Sequence, residues 1–256
     1  MSFQRWARWW TVASGVSLIA VGSAVGAFAA ATAAPVKTRV LIVGGSAAFG
    51  WHDKTGLGYI ERGLKSWSRN PAELTFQNQA IPGATVNNPI IHKHYLGWLK
   101  ASPKIVVLGW GLLNDLRVGT PWSEILSKIR QEALEALAAG SVVFVVTPPA
   151  TTTTFTVNRG GENALVAAVI RTVSAINNRN LYVFDVLTRE ESWLLQHHQS
   201  VLGYMQGKWD PNTKGHVLAG KLLASELKAE LPRGSVGWVQ PAVQPQARSV
   251  ELGSTT

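Results

Sequence analysis

The chain lacks cysteine altogether, so disulfide bonds and thiolate-ligated metal sites are excluded. It also lacks any run of Lys or Arg, although 24 basic residues outnumber 15 acidic ones and give a formal net charge of +9. Nucleic-acid binding requires a clustered basic face, so we expect no nucleic-acid partner. The positive charge instead favours solubility, or contact with an anionic cell wall or membrane surface.

Glycine and proline, 24 and 12 of the 256 residues, are too few to indicate disorder throughout. Hydrophobic residues make up 46% of the chain, which is ample for a core. The length suits one large α/β domain with short appendages, and no internal repeat is visible. We expect this domain at residues 35–231 and expect the protein to be a monomer. Residues 232–256, rich in Pro, Gly, Gln and Ser, are predicted to be a disordered tail.

The first 34 residues have the composition of an export segment. Arg5 and Arg8 give a positively charged start, and Ala31-Thr32-Ala33 resembles a small-x-small cleavage site. The intervening residues 11–34 are uncharged and long enough to span a bilayer. Residues 1–34 are therefore predicted to be either a cleaved signal peptide or a retained membrane anchor. Both alternatives leave the domain outside the cytoplasm.

Apolar strands alternate with helical segments along the domain. Continuous apolar strands separated by helices indicate a parallel sheet covered on both faces. Right-handed crossovers then give a three-layer α/β/α sandwich with a five-stranded parallel sheet. The strands are predicted at residues 40–43, 74–78, 104–108, 141–146 and 181–185. The helices are predicted at residues 58–68, 92–99, 121–139 (with Thr120 as N-cap and Gly140 as the stop), 161–177, 188–198 and 214–231.

The turn after the first strand carries a candidate nucleophile. Gly44-Gly45 permits a sharp bend, and Ser46 follows where the strand gives way to a helix. Open α/β sheets bind their ligands at the carboxyl ends of the strands. A serine there can attack a carbonyl group if a base and oxyanion donors lie nearby. The alternative is that Ser46 only caps the next helix.

Two later loops carry candidate oxyanion donors. Gly83 follows the second strand, and Asn114-Asp115 follows the third. The backbone N–H groups of Ser46 and Gly83 and the side-chain amide of Asn114 could stabilise a developing oxyanion. Gly83 could also simply make a turn after a proline, and Asn114-Asp115 could cap a helix or loop.

These blocks, in this order, resemble the SGNH hydrolases, also called the GDSL esterase/lipase family. The family's first block, G-D-S, is similar to Gly44-Gly45-Ser46, with Gly45 in place of Asp, and Gly83 corresponds to the glycine of the second block. In the third block, G-x-N-D, Asn114-Asp115 matches while Leu112 stands in place of the glycine. The fourth block, D-x-x-H-P-N followed by x-x-G-H, matches at Pro211-Asn212 and Gly215-His216. The resemblance covers most of residues 40–231.

The resemblance implies a flavodoxin-like fold and hydrolysis of carboxylic esters without metal or other cofactor. It also implies that Ser46 is the nucleophile and that Ser46, Gly83 and Asn114 form the oxyanion hole. Suitable substrates are small-molecule, carbohydrate or lipid esters, including O-acyl groups on surface sugars.

The fourth block departs from the family at its catalytic positions. Asp210 stands where the family has its catalytic histidine, and Gly207 stands where it has the aspartate that orients that histidine. A serine hydroxyl is a weak nucleophile without a base, and a carboxylate is a poorer base than histidine near neutral pH.

Three interpretations stay open. Asp210 itself acts as a weak base; another histidine, with His216 the nearest candidate, replaces the missing one; or the protein is a catalytically impaired relative that binds without cleaving. The remaining histidines considered for this role are His52, His197 and His198. A nucleotide-binding function is less favoured, because the glycine turn is not G-x-G-x-x-G.

Other side chains near the candidate loops could shape the site. Four tryptophans there serve either core packing or an apolar, sugar-stacking wall; they are Trp51, Trp98, Trp110 and Trp209. The threonine run Thr151–Thr154 is predicted to be a flexible, exposed loop near the entrance of the site.

Overall fold

A computed structural model of the protein describes residues 37–156 and 159–236, with backbone only at 159 and 160. The predicted export segment and most of the predicted tail lie outside these ranges. None of the helices within them is long and apolar enough to cross a lipid bilayer.

The domain is built on five parallel strands in the order β2-β1-β3-β4-β5. This confirms the predicted five-stranded parallel sheet and its flavodoxin-like strand order. The strands are β1 (Thr38–Gly44), β2 (Leu74–Asn78), β3 (Ile105–Gly109), β4 (Val142–Val146) and β5 (Leu181–Phe184).

Helices cover both faces of this sheet. Their bounds are α1 (Ser46–Phe49), α2 (Gly58–Trp67), α3 (Pro89–Lys100), α4 (Leu113–Val118), α5 (Trp122–Ala138), α6 (Thr152–Thr156), α7 (Arg159–Ser174), α8 (Val186–Gln196) and α9 (Thr213–Glu230). Between α8 and α9 the chain forms a 3-10 turn at Val201–Tyr204 and a short antiparallel pair, β6 (Met205–Gln206) and β7 (Asp210–Pro211). Another 3-10 turn, Pro71–Glu73, precedes β2.

Alternate residues of β1 belong to two separate cores. Leu41 and Val43 pack in the core formed with α3, α5 and α7, whereas Val40 and Ile42 pack in the core formed with α2 and α9. Successive side chains of a strand point to opposite faces of its sheet, so the unbroken apolar run of β1 is explained by burial on both sides. The same logic applies to β3 and β4, which are buried along their whole length.

Gly44 must be a glycine because β1 and β3 approach closely at their carboxyl ends. Its φ is +152°, and a Cβ at this position would collide with the carbonyl group of Gly109 on β3. The bend at the end of β1 therefore depends on the absence of a side chain. This bend places Ser46, two residues later, at the carboxyl edge of the sheet.

Some local predictions were wrong. The helix α6 and the pair β6–β7 were expected to be loops. Pro121, rather than Thr120, occupies the N-cap of α5, and it makes no side-chain cap. The run Thr151–Thr154 is not an exposed loop: Thr153 and Thr154 are 2% and 0% exposed. Within this run the Thr151 and Thr154 side chains bond each other and each other's backbone N–H, which satisfies the hydroxyl and N–H groups of these two residues in the interior.

Candidate active site

A cavity of about 270 Å³ opens at the carboxyl edge of the sheet. It brings together four of the five residues proposed from the sequence to form the site, namely Ser46, Gly83, Asn114 and Asp210. Its remaining lining residues are Ala47, Trp51, Pro82, Gly111, Leu113, Arg117, Pro148, Pro149, Thr151 and Trp209. Larger hollows exist elsewhere on the surface, but neither is lined by any of the five residues proposed from the sequence.

Ser46 is the first residue of α1 and is half-buried. Gly45, not Ser46, occupies the N-cap, and no side chain caps this helix. The interpretation of Ser46 as a helix cap is therefore wrong. The first N–H groups of a helix have no intrahelical acceptor, so the Ser46 backbone N–H can serve as a donor at the mouth of the cavity.

Gly83 occupies the third position of a tight turn that borders the cavity. The Ala84 N–H donates to the Ile81 carbonyl at 3.0 Å, Pro82 lies between them, and Gly83 has a φ of +80°. Proline second and a left-handed glycine third are typical of a type II turn. Gly83 can therefore be both a turn residue and a candidate oxyanion donor, because this turn places it on the lining of the cavity.

Asn114 and Asp115 fasten that turn to α4. The Asn114 side-chain amide donates to the Ala84 carbonyl at 3.3 Å. The buried Asp115 carboxylate accepts the Val86 N–H at 3.2 and 3.3 Å. Burial raises the pKa of Asp115 to about 6, opposed by the hydrogen bond from Val86. Neighbouring residues of one helix therefore position two of the candidate oxyanion donors relative to each other.

Leu112 keeps the backbone shape that the missing glycine of the third block would favour. Its φ is +60°, in the region that side chains rarely adopt. The Leu112 side chain is 3% exposed and packs in the core with α3, α5 and α7. Burial of the leucine offsets the backbone strain, so a leucine can occupy this position at the start of α4.

Asp210 reaches the cavity from β7, at the end of a tight turn that contains Gly207 with a φ of +74°. The side chain is half-buried, and its Oδ1 atom is buried without a hydrogen-bond partner among the described residues. A buried carboxylate oxygen is costly to leave unpaired. Asp210 is therefore equipped to accept a hydrogen bond from a hydroxyl group in the cavity.

His216 is not brought into the cavity. It is fully buried at the start of α9, and its Nε2 lies 2.9 Å from the Trp51 carbonyl, so Nε2 must carry the proton. Burial lowers the pKa of His216. Trp51 in turn donates its N–H to the Ser46 carbonyl at 3.0 Å. His216 thus supports the loop beside Ser46 and does not meet the serine hydroxyl across the cavity.

No other histidine takes the place of the missing base. All six histidines of the chain lie within the described ranges, and none of them lines the cavity. His52 is exposed beside Trp51, and His197 stacks on Trp193 of α8 at 4.2 Å. The described residues also contain no cluster of three acidic or histidine side chains that could hold a metal ion.

The four tryptophans divide between the two predicted roles. Trp51 and Trp209 line the cavity and are 43% and 40% exposed, as a stacking wall requires. Trp110 is buried and donates to the Glu132 carboxylate at 2.7 Å, and Trp98 packs against the core. These two tryptophans serve packing.

Arg117 is a cavity residue that the sequence reasoning missed. Its guanidinium lies 5.8 Å from the centre of the Trp209 ring, a cation–π distance. The signal was available, because Arg117 lies three residues after Asn114 on one helix and such pairs share a face. Pro148 and Pro149 follow the end of β4 after one intervening residue. This position was also predictable, because ligands bind at the carboxyl ends of parallel strands.

Comparisons with known proteins agree with this geometry. The sequence matches the family model described as GDSL-like Lipase/Acylhydrolase family over residues 42–218. No curated protein matches significantly. Among solved structures, protein YXIM of Bacillus subtilis has a TM-score of 0.58 at 19% identity, covering 78% of this chain and 59% of its own.

Two solved esterases are also similar. Esterase EstA of a Pseudoalteromonas species has a TM-score of 0.55 at 16% identity, covering 77% of this chain and 100% of its own. A family two carbohydrate esterase from Clostridium thermocellum has a TM-score of 0.56 at 16% identity, covering 78% and 65%. At these identities the likeness shows the fold alone. The family match, in contrast, spans more than half of the 256 residues, and the chain therefore belongs to the GDSL-like lipase/acylhydrolase family of hydrolases.

Proposed function

We propose that the protein is an exported serine esterase that uses Ser46 as nucleophile and Asp210 as a weak base. The observation that carries the proposal is the lining of one cavity by Ser46, Gly83, Asn114 and Asp210. Nucleophile, oxyanion donors and a proton acceptor are the groups that acyl transfer needs.

In the first half-reaction, Ser46 Oγ attacks the ester carbonyl carbon and its proton passes to a carboxylate oxygen of Asp210. The oxyanion accepts hydrogen bonds from the backbone N–H groups of Ser46 and Gly83 and from the Asn114 amide. Collapse of the intermediate releases the alcohol, which takes the proton from Asp210. Water then hydrolyses the acyl-serine by the same route, releasing the acid and restoring Ser46.

The replacement of histidine by Asp210 makes this esterase slow. A carboxylate matches the proton affinity of an attacking hydroxyl less well than imidazole does near pH 7. The unpaired, buried Oδ1 of Asp210 partly compensates, because it has no competing hydrogen bond to give up among the described residues. We therefore expect measurable turnover that lies well below that of a serine–histidine pair.

The substrate class follows from the size and walls of the cavity. A volume of about 270 Å³ accommodates a short acyl group and one ring rather than a long chain. The exposed rings of Trp51 and Trp209 suit stacking on a sugar, and one similar structure is a carbohydrate esterase. O-acyl groups on surface sugars or small lipids fit these properties. Export rests on the composition of residues 1–34, and a mature N-terminus near Ala34 after cell fractionation would establish cleavage.

The test uses purified protein with 4-nitrophenyl acetate and an O-acetylated monosaccharide. Ser46→Ala should abolish turnover of both, because it removes the nucleophile. Ser127→Ala, on the exposed surface of α5, is the matched control and should retain full activity. Full activity in the Ser46→Ala variant would contradict the proposal.

A second function, binding of an ester or sugar without cleavage, is favoured by one observation: no histidine lines the cavity. The two functions separate by covalent labelling. A fluorophosphonate ester that adds to Ser46 of the unaltered protein, seen as a mass increase absent from Ser46→Ala, supports catalysis. Saturable binding of the acetylated sugar with neither labelling nor turnover supports the binding function.

A further inference from the structure

A second hollow, of about 460 Å³, lies between α8, the 3-10 turn at Val201–Tyr204 and α9. It shares no lining residue with the active-site cavity. Its apolar walls are formed by five side chains, and we call this surface the α8–α9 groove: Trp193, Tyr204, Val217, Leu218 and Leu222. Nothing in the proposed ester hydrolysis uses it.

A row of lysines runs along the same helix. Lys214, Lys221 and Lys228 are all exposed and follow one another at seven-residue intervals on α9. Seven residues make nearly two turns, so the ammonium groups share one side of the helix about 10 Å apart. Lys214 and Lys221 themselves line the groove, and no acidic residue does.

The nearest acidic side chain on α9 does not cancel this charge. Glu226 is already paired with Arg189 of α8 at 2.8 Å. Within the part of the chain that the structure describes, no salt bridge joins Lys214 or Lys221 to an acidic side chain. Both therefore present positive charge beside an apolar hollow.

One leucine protrudes from the turn that borders the groove. Leu202 lies in the 3-10 turn, two residues before the groove residue Tyr204, and is 68% exposed. Together with the apolar hollow it forms the kind of apolar surface that marks an interaction site. Protruding apolar side chains combined with lysines are the chemistry by which a protein surface enters the interface of an anionic bilayer.

We propose that the α8–α9 groove, with its lysine row and Leu202, docks onto a bilayer that contains anionic lipid. The lysines contact lipid phosphates, and Leu202 enters the headgroup region. The docked surface adjoins the active site through one short segment: Tyr204 and Thr213 border the groove, while Trp209 and Asp210 between them line the active-site cavity. The docking does not depend on whether Ser46 is catalytically active.

The chain offers a matched control surface on α3. Lys93 and Lys100 are exposed with the same seven-residue spacing, and Leu96 between them is 57% exposed. α3 follows the edge strand β2, whereas α8 follows the opposite edge strand β5. The two substituted lysines and the labelled leucine are thus matched in number and spacing, while no residue of α3 lines the α8–α9 groove.

The absence of cysteine makes the test direct, because a single introduced cysteine labels one site. The full-length Leu202→Cys and Leu96→Cys variants each carry an environment-sensitive fluorophore and are mixed with vesicles of phosphatidylcholine, with or without phosphatidylglycerol. We expect a blue shift only for the label at 202, only with phosphatidylglycerol, and reduced at high salt. An equal response at both labels, or none at 202, overturns the proposal. If residues 1–34 alone anchored the protein to the vesicles, the label at 202 would show no response, which is the second of these outcomes.

Charge reversal provides an independent measurement. Lys214→Glu/Lys221→Glu should lower partitioning onto phosphatidylglycerol vesicles by 10- to 100-fold, since each lysine near an anionic surface favours binding about fivefold. Lys93→Glu/Lys100→Glu, with the same change in net charge, should lower it less than about threefold. Equal losses in the two variants overturn the proposal. Saturation of the groove by monomeric decyl sulfate, without any vesicle response at position 202, also overturns it in favour of a soluble amphiphile.

Discussion

The two walls of the active-site cavity differ in what they keep of the family's chemistry. The oxyanion wall retains the serine, glycine and asparagine of the family motif at Ser46, Gly83 and Asn114. The other wall, which we call the base wall, carries Asp210 at the position of the family's histidine. Gly207, at the position of the aspartate that orients this histidine, lies three residues earlier and does not line the cavity. In the proposed mechanism, the groups assigned to charge stabilisation match the family motif, while those assigned to proton transfer differ from it.

A buried carboxyl group accepts a backbone hydrogen bond near each wall. Asp115 accepts the Val86 N–H next to the oxyanion wall, and Glu190 of α8 accepts the Ala150 N–H at 2.9 Å next to the base wall. Burial raises the pKa of Asp115 to about 6 and that of Glu190 to about 8. At neutral pH the first is ionised and the second carries a proton, so the two walls respond differently to pH.

The largest expected effect comes from restoring the proton-transfer groups. In Gly207→Asp/Asp210→His the chain regains the family's pair on the base wall, and kcat for 4-nitrophenyl acetate should rise by about 10²- to 10⁴-fold at pH 7.5. Aspartate tolerates the left-handed backbone of position 207 better than most residues. Initial rates over substrate concentration give kcat.

The control for this gain is Ser46→Ala in the same background, which should remove it completely. Asp210→His alone should give a smaller gain, since nothing then orients the imidazole. A double variant no faster than the parent would show that the oxyanion wall is not competent, or that Asp210 is already an efficient base.

The oxyanion wall is tested by Asn114→Ala. Loss of one oxyanion donor should lower kcat by about 10²- to 10³-fold with a small change in KM. The measurement is made in the Gly207→Asp/Asp210→His background, where activity is high enough to quantify such a loss. Asn87→Ala, which removes an exposed amide bonded to Glu124 outside the cavity, is the matched control. Equal kcat values in the two variants would remove Asn114 from the oxyanion hole.

Much of the fold was predictable because its signals are local. The apolar runs of β1, β3 and β4 are buried on both faces, and such runs separated by helical periodicity leave few alternatives to a parallel sheet. The loops after the strands were predictable as the place of the site for the same reason. Ser46, Gly83, Asn114 and Asp210 therefore meet where strand order requires.

The remaining features depend on distant contacts that a sequence does not display. The threonine run is polar and resembles a loop, yet Thr153 donates to the Lys208 carbonyl 55 positions away and is buried there. From the sequence, Leu112 is only a departure from the glycine of the third block, and its packing in the core becomes visible only in the structure. His216 resembles a replacement base until its bond to the Trp51 carbonyl is seen. In each case tertiary packing decided what local propensity left open.

Asp115→Asn tests the pH response of the oxyanion wall. Above about pH 6 the Asp115 carboxylate is ionised and accepts the Val86 N–H as a charge-assisted bond, which is stronger than a neutral one. The parent's kcat/KM should therefore rise by a few-fold to about tenfold through pH 6. The asparagine variant should lack this step, with kcat/KM fixed near the parent's low-pH value. A step that persists in Asp115→Asn would assign the titration to another group.

Glu190→Gln tests the pH response behind the base wall, and its effect lies in stability rather than rate. The folded protein binds the Glu190 proton more tightly than the unfolded chain, because burial raises the pKa from 4.5 to about 8. The stabilisation is thus complete below about pH 4.5 and is lost as the pH rises towards 8, by at most about 1.4 kcal/mol per pH unit. Glutamine keeps the oxygen that accepts the Ala150 N–H but cannot ionise. Its Tm should equal that of the parent at pH 5 and exceed it by several degrees at pH 9.

Glu230→Gln, at the exposed end of α9, should leave the whole curve of Tm against pH unchanged. Parallel curves for Glu190→Gln and the parent would mean that Glu190 does not hold its proton in the folded state, and the contrast between the two walls would then rest on Asp115 alone.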